Sequence, residues 1–184
     1  MRPVDDANEV ELARAGDRQA FAILVERYWG RVLRWLTSLA PHHQQAEDLT
    51  QETFLRAWKG LADFRPGASF RAWLFGIARH CFIDWKRARA RAGREPLRAD
   101  PPCSAPGPAE AAVQREGEAL LQAACDRLPE HFRAAFLLWA QEEMTHAEIA
   151  DALHISEETA RWRVFKARHL LVQDLGAYLD RNKP

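Results

Sequence analysis

Arg161, Trp162, Arg163, Phe165 and Lys166 fall within a few positions of one another near the C-terminal end of the chain. On a helix, such cations can bond guanine edges in a major groove or neutralise phosphates. A second group combines an aromatic stripe (Phe70, Trp73, Phe75, Phe82, Trp85) with a basic run (Arg79, Lys86, Arg87, Arg89, Arg91, Arg94) that contains one acid, Asp84. Rings that stack on bases and cations that track phosphates are what a single-strand binding surface needs. The regular spacing of the stripe assigns Phe70, Trp73, Ile77 and Trp85 to packing. Off-stripe residues, namely Arg71, Arg79, His80, Asp84, Lys86 and Arg87, are the better contact candidates. A third group is acidic: Glu47, Asp48, Gln51 and Glu52. Asp48 and Glu52 are four apart, share a helix face and repel by about a few tenths of a kcal/mol. A basic partner would relieve that repulsion, and a solvated acidic face accounts for it equally well.

Catalytic chemistry is not expected. The chain has no HExxH, no CxxC and no Gly-rich phosphate loop. His42-His43 and His80-Cys81 are adjacent pairs, which point to different helix faces, so neither metal nor cofactor is expected. The three cysteines, Cys81, Cys103 and Cys125, are few and far apart, which argues against a disulfide framework and suits a reducing cytosol. No apolar run approaches the roughly 20 residues of a membrane span. The acidic N-terminus lacks a signal-peptide pattern. A cytoplasmic protein without membrane insertion is expected. The 26 basic and 26 acidic side chains cancel, so any nucleic-acid affinity must come from local patches, each felt over about 10 Å at moderate salt.

The elements that must carry these groups are helical. Asp17 is a plausible cap for a run in which Phe21, Leu24, Val25, Tyr28, Val32, Trp35, Leu36 and Leu39 recur at spacings of three and four, ended by Pro41. Ala46, Leu49, Thr53, Phe54, Ala57, Trp58 and Leu61 form a second stripe. Arg65-Pro66-Gly67 turns the chain, and Ser69 can cap the helix bearing the aromatic stripe. Residues Glu95 to Gly117 contain five prolines among Ala, Ser and Gly and read as a flexible linker. Beyond it, Leu120, Leu121, Ala124 and Leu128 give one helix, and Phe132, Ala135, Phe136, Leu138 and Trp139 another. Thr145-His146-Ala147-Glu148 fits a capping box. His154-Ile155-Ser156 is a tight turn, with Ser156 capping a last helix whose first turn holds Glu157 and Glu158. A short helix, a three-residue turn and a longer amphipathic helix make the layout of a helix-turn-helix. An ordinary helical hairpin with a solvated basic face shares that pattern.

The segment Ala46-Glu47-Asp48-Leu49-Thr50-Gln51-Glu52-Thr53-Phe54-Leu55-Arg56-Ala57-Trp58, continued by Phe70 through Arg79, resembles the region 2 signature of sigma-70 family factors. Leu128-Pro129-Glu130 through Ala167-Arg168 resembles region 4. Two such regions with nothing but a linker between them match the extracytoplasmic-function (ECF) subfamily. The resemblance implies an all-α chain of two small helical domains: residues 1–94 binding core RNA polymerase and the −10 element, a Pro-rich linker at 95–117, and residues 118–184 binding the −35 element. It implies that Asp48, Gln51, Glu52 and Leu55 dock on the polymerase β′ coiled coil, with the β flap as a further contact. Arg56, Phe64, Arg71, Arg79, His80, Asp84, Lys86 and Arg87 would act at the −10 element and in melting, with an extruded base held near Phe64, Arg56 and His80. Glu157, Glu158, Arg161, Trp162, Arg163, Phe165 and Lys166 would serve the −35 element. An anti-sigma factor is the implied regulatory partner.

Four positions depart from that family pattern. His154 replaces the usual turn Gly, Ala160 stands where Val is common, Trp162 where a small residue is usual, and His80 where Asn is frequent. The competing expectation is a stand-alone helix-turn-helix regulator. That protein would need neither the acidic helix nor the linker, and would usually need a dimer interface. No strong heptad seam offers one, so the free chain is expected to be a monomer.

Overall fold

The computed structural model describes residues 6–93 and 119–181; the expected linker lies outside the described residues. Every regular element among them is a helix. The N-terminal half consists of α1 (Ala7–Arg14), α2 (Arg18–Leu39), α3 (His43–Gly60), a 3-10 turn (Leu61–Asp63) and α4 (Phe70–Arg91). The C-terminal half consists of α5 (119–127), α6 (Glu130–Ala140), α7 (His146–Leu153) and α8 (Glu157–Arg181).

Local chemistry sets the helix starts. The Asp17 carboxylate accepts from the backbone N–H of Gln19 (2.8 Å) and Ala20 (3.2 Å) and opens α2. Ser69 accepts from the N–H of Ala72 at 3.3 Å and opens α4. On α3, Thr50 and Thr53 are fully buried, which would be costly for free hydroxyls. Each donates to a carbonyl one turn back, Ala46 and Leu49, at 2.7 Å, so no polar atom is stranded.

α2, α3 and α4 enclose a core centred on Trp35, Leu36, Leu74 and Phe75, with the Trp35 and Phe75 rings edge to face at 5.6 Å. The two expected helical domains are present, but this core does not stop at the boundary between them. It continues through Ala134, Leu138, Met144, Ile149, Ala152 and Leu153 of the C-terminal half. The Trp35 indole N–H donates across the boundary to the carbonyl of Ala134 at 3.2 Å. A smaller cluster of Ala124, Cys125, Leu128, Phe132, Ala167 and Leu171 joins α5, α6 and α8.

Because the two halves share one core, urea unfolding followed by tryptophan fluorescence should give a single transition. Phe75→Ala should lower its free energy by about 3–5 kcal/mol, as expected for a large core aromatic. Asp17→Ala, which removes only a cap, should cost about 1 kcal/mol.

Candidate nucleic-acid interface

On α3, Asp48, Gln51 and Leu55 point to solvent on one face, Leu55 being 57% exposed. Glu52 is less free. It accepts from the Arg56 Nε at 2.7 Å, while Arg56 Nη1 donates to Asp84 on α4 at 2.9 Å. Asp84 and then Glu52 hold the Arg56 guanidinium above its ordinary pKa, and Arg56 holds the Asp84 carboxyl below its own. Arg56 and Asp84 thus tie α3 to α4.

Phe64 is buried, tilted at 5.1 Å against Trp73 and edge-on to Phe70 at 5.9 Å. It forms part of the wall of a cavity of about 430 Å³ shared with Asp6, Tyr28, Arg31, Arg71 and Glu148. Neither Arg56 nor His80 lines that cavity. Arg56 is instead paired with two carboxylates, and His80 stacks on His154 of the C-terminal half.

Several of the contact candidates on α4 meet the C-terminal half. Arg71 Nη2 donates to both oxygens of Glu148, at 2.8 and 2.9 Å, and its Nη1 to the carbonyl of Glu142 at 2.6 Å. Ser69 donates to the same Glu148 carboxylate at 2.8 Å. The Glu148 carboxyl sits below its ordinary pKa of 4.5: burial pushes it up, but the bonds from Arg71, the Thr145 backbone N–H and Ser69 outweigh burial. His80 stacks on His154, ring centres 4.6 Å apart and planes 18° from parallel. Lys86 pairs with Glu130 at 2.6 Å, and Arg87 remains exposed. Burial first, then the nearby charges of Arg163 and Arg87, depress the Arg79 guanidinium, with Glu130 opposing.

The helix-turn-helix forms as the capping pattern predicts. Thr145 accepts from the Glu148 N–H at 3.2 Å, and the Glu148 side chain accepts from the Thr145 N–H at 2.9 Å. His154 ends α7 in the left-handed region, φ 46° and ψ 54°, where glycine would be unstrained. Ser156 accepts from the Thr159 N–H at 3.1 Å and starts α8. Along α8, Glu157, Glu158, Arg161, Trp162 and Phe165 are exposed, with Arg161 paired to Glu157 at 3.0 Å. Trp162 leans edge-on against Phe132 at 5.3 Å and is 53% exposed, so it is only half available to a groove. Lys166 is half-buried. Arg163 is half-buried near Arg79 of α4, and burial lowers its pKa.

Three charged residues escaped the sequence reading as cross-domain contacts. Arg31 binds Glu142 through Nε at 2.6 Å, with that carboxylate only 2% exposed. Glu148 was legible as a capping residue but not as a partner of Arg71. An available signal lay in two departures from the family pattern, His80 and His154, which turn out to face each other.

His80 titrates below its ordinary 6.5, through burial first and then the charges of His154 and Arg79; Arg56 acts the same way and Asp84 opposes them. The unfolded chain therefore takes up that proton first. The contribution is fully present above pH 6.5 and is lost as pH falls through the lowered value. The Glu148 contribution is present above 4.5 and is lost only at more acid pH. Urea stability should thus decline in two stages on acidification, and His80→Gln should remove the first.

Family models match the chain in two places: sigma-70 region 2 over residues 24–92 and sigma-70 region 4 over residues 118–171. The ECF RNA polymerase sigma factor SigE of Mycolicibacterium smegmatis is 36% identical over 151 residues, spanning 80% of this chain and 58% of that relative. RNA polymerase sigma factor NccH of Alcaligenes xylosoxydans xylosoxydans is 30% identical over 161 residues, 85% of this chain and 87% of its own length. Among solved structures, CnrH in complex with the cytosolic domain of CnrY superposes with a TM-score of 0.69 at 26% identity, covering 97% of this chain and 99% of that one. With both region models matched in order and NccH aligned over most of its length, the chain belongs to the sigma-70 family, as an RNA polymerase sigma factor of the ECF type.

Proposed function

We propose that residues 1–94 dock this sigma factor on core RNA polymerase and read the −10 element, that 95–117 link the domains, and that residues 118–184 read the −35 element. The observation that carries this division is the pair of outward faces on separate elements. Asp48, Gln51 and Leu55 leave an acidic-apolar face of α3 open for the β′ coiled coil. Arg161, Trp162 and Phe165 leave a basic-aromatic face of α8 open for a major groove. Glu52 supports the first face from its pair with Arg56. Glu158 and Lys166 flank the second. The β flap is the natural polymerase contact for the C-terminal domain.

Each domain offers few phosphate contacts, and the chain carries no net charge. Neither half alone should hold promoter DNA strongly. Mounted together on polymerase they become a bivalent reader, in which the second contact forms at high effective concentration. Melting costs a few kcal/mol per unstacked step. Arg71, Arg79, His80, Lys86 and Arg87 along α4 would repay part of that on the exposed strand. Arg56 and Asp84 position α4 against α3, and Phe64 buttresses the cavity beside Arg71. The chain would act without catalysing a reaction and without a cofactor, in the cytoplasm where polymerase works. No described helix is long and apolar enough to cross a membrane. The likeness to CnrH, caught with the cytosolic domain of CnrY, supports an anti-sigma factor as the controlling partner.

Run-off transcription with core polymerase and a pooled promoter library should yield transcripts only when the protein is added, from templates sharing two spaced elements. Leu55→Arg should weaken polymerase binding at least about tenfold while sparing the fold, since the side chain is exposed. Arg161→Ala should cost about 1–3 kcal/mol in binding the −35 element and relax its sequence preference. Transcripts without the protein, or duplex binding by the protein alone with no transcripts, would overturn the assignment.

A further inference from the structure

We propose that Trp162 is a specificity-determining residue of this chain: together with Phe165 it presents an apolar edge that selects thymine in the −35 element, through the C5-methyl group, beside a base pair read by Arg161. The inference rests on the proposed seating of α8 in the major groove, and it names what that face selects.

Exposure singles out these two rings. Trp162 and Phe165 are 53% and 67% exposed, whereas every other Trp, Tyr and Phe among the described residues is buried or half-buried. A helix turns by about 100° per residue, so Arg161, Phe165 and Trp162 follow one another around α8 within an arc of about 100°. Glu158 lies in the same arc, one turn earlier. The circumference turns inward at Ala160 and Val164, which are buried. The face therefore offers a cation, a carboxylate and two neighbouring rings.

Chemistry limits what the rings can meet. Base edges in the major groove are hydrogen-bond donors and acceptors, with one apolar group among them, the thymine methyl. A guanidinium finds partners at guanine O6 and N7, and a carboxylate finds one at cytosine N4. A ring pressed on any of those edges covers a polar atom and leaves it unpaired, which costs affinity. Trp162 and Phe165 thus act against other bases as well as for thymine. Three residues apart, they are displaced by about 4.5 Å along α8, close to the spacing of about 3.4 Å between neighbouring base pairs. The two rings accordingly meet adjacent pairs rather than one.

The indole is also held ready. It packs edge-on against Phe132 at 5.3 Å, and Phe132 is buried in the cluster that joins α5, α6 and α8. A side chain fixed before DNA arrives loses little rotamer freedom on binding. With the small residue usual at this position in the family pattern, Phe132 would support nothing and the apolar edge would shrink to Phe165.

Promoter binding by the holoenzyme, formed from core polymerase and the full chain, tests this on a template recovered from the run-off library. Each thymine of its −35 element is replaced singly by deoxyuridine, which removes the methyl group and nothing else. One position should lose about fourfold in affinity through Trp162, and a neighbouring position a similar factor through Phe165. Trp162→Ser should bind thymine and uracil alike at the first position only, and Trp162→Phe, which keeps a ring, should retain the preference. Each ratio is read on a single protein, so a change in stability cancels. A −35 element without thymine, equal affinity for thymine and uracil throughout, or a full preference surviving in Trp162→Ser at every position would each overturn the proposal and leave the −35 reading standing. Affinity unchanged when the whole −35 element is scrambled would instead overturn that reading, and the proposal with it.

Discussion

At Gly76, α4 comes within van der Waals reach of the α7 backbone, and the relation between the two halves is organised around that approach. Helix surfaces that close bury whatever flanks them. On one side they bury Glu142 and align Glu148 with Arg71. On the other they bring His80 onto His154. Behind them, Trp35 reaches the Ala134 carbonyl and the apolar core runs on without a gap. Remove the close approach and the buried carboxylate loses its partner, the imidazole stack separates and the core divides in two.

The cost of this arrangement is carried by charge. Exposed ion pairs such as Arg161–Glu157 contribute at most about 1 kcal/mol. Buried pairs behave differently: they need not stabilise relative to an apolar contact, but they are expensive to break on one side only. Arg31–Glu142 therefore acts as a register device, fixing which face of the second domain meets the first. Arg79 and Arg163 are both depressed by burial, and neither has a bonded acid among the described residues.

α8 shows how one helix divides its circumference among several tasks. Ala160, Val164, Ala167 and Leu171 are buried against its own domain. Arg163 turns to α4, and Arg161 and Phe165 face solvent. Trp162 lies between these classes. Phe132 supports its ring edge, which accounts for a large aromatic at a half-exposed position. It enlarges the solvent-facing surface beside Arg161 without leaving an unsupported apolar group.

Helix positions, caps and the helix-turn-helix were legible from sequence because each depends on residues within a few positions: Asp17, Ser69 and the Thr145–Glu148 box act on backbone groups one turn away. The apolar stripes were equally local, since a 3.6-residue period is written along the chain. The family signature, likewise a run of adjacent residues, was readable for the same reason. What the sequence could not contain was the pairing of the two halves. Arg31 and Glu142 are 111 positions apart, and Arg71 and Glu148 are 77. Nothing in the period of either helix says which exposed charge will meet which. The sequence thus determined the elements, their caps and the family; the tertiary packing alone decided that Arg71, His80 and Arg163 face across a domain boundary, because burial and ion pairing are properties of surfaces brought together in space.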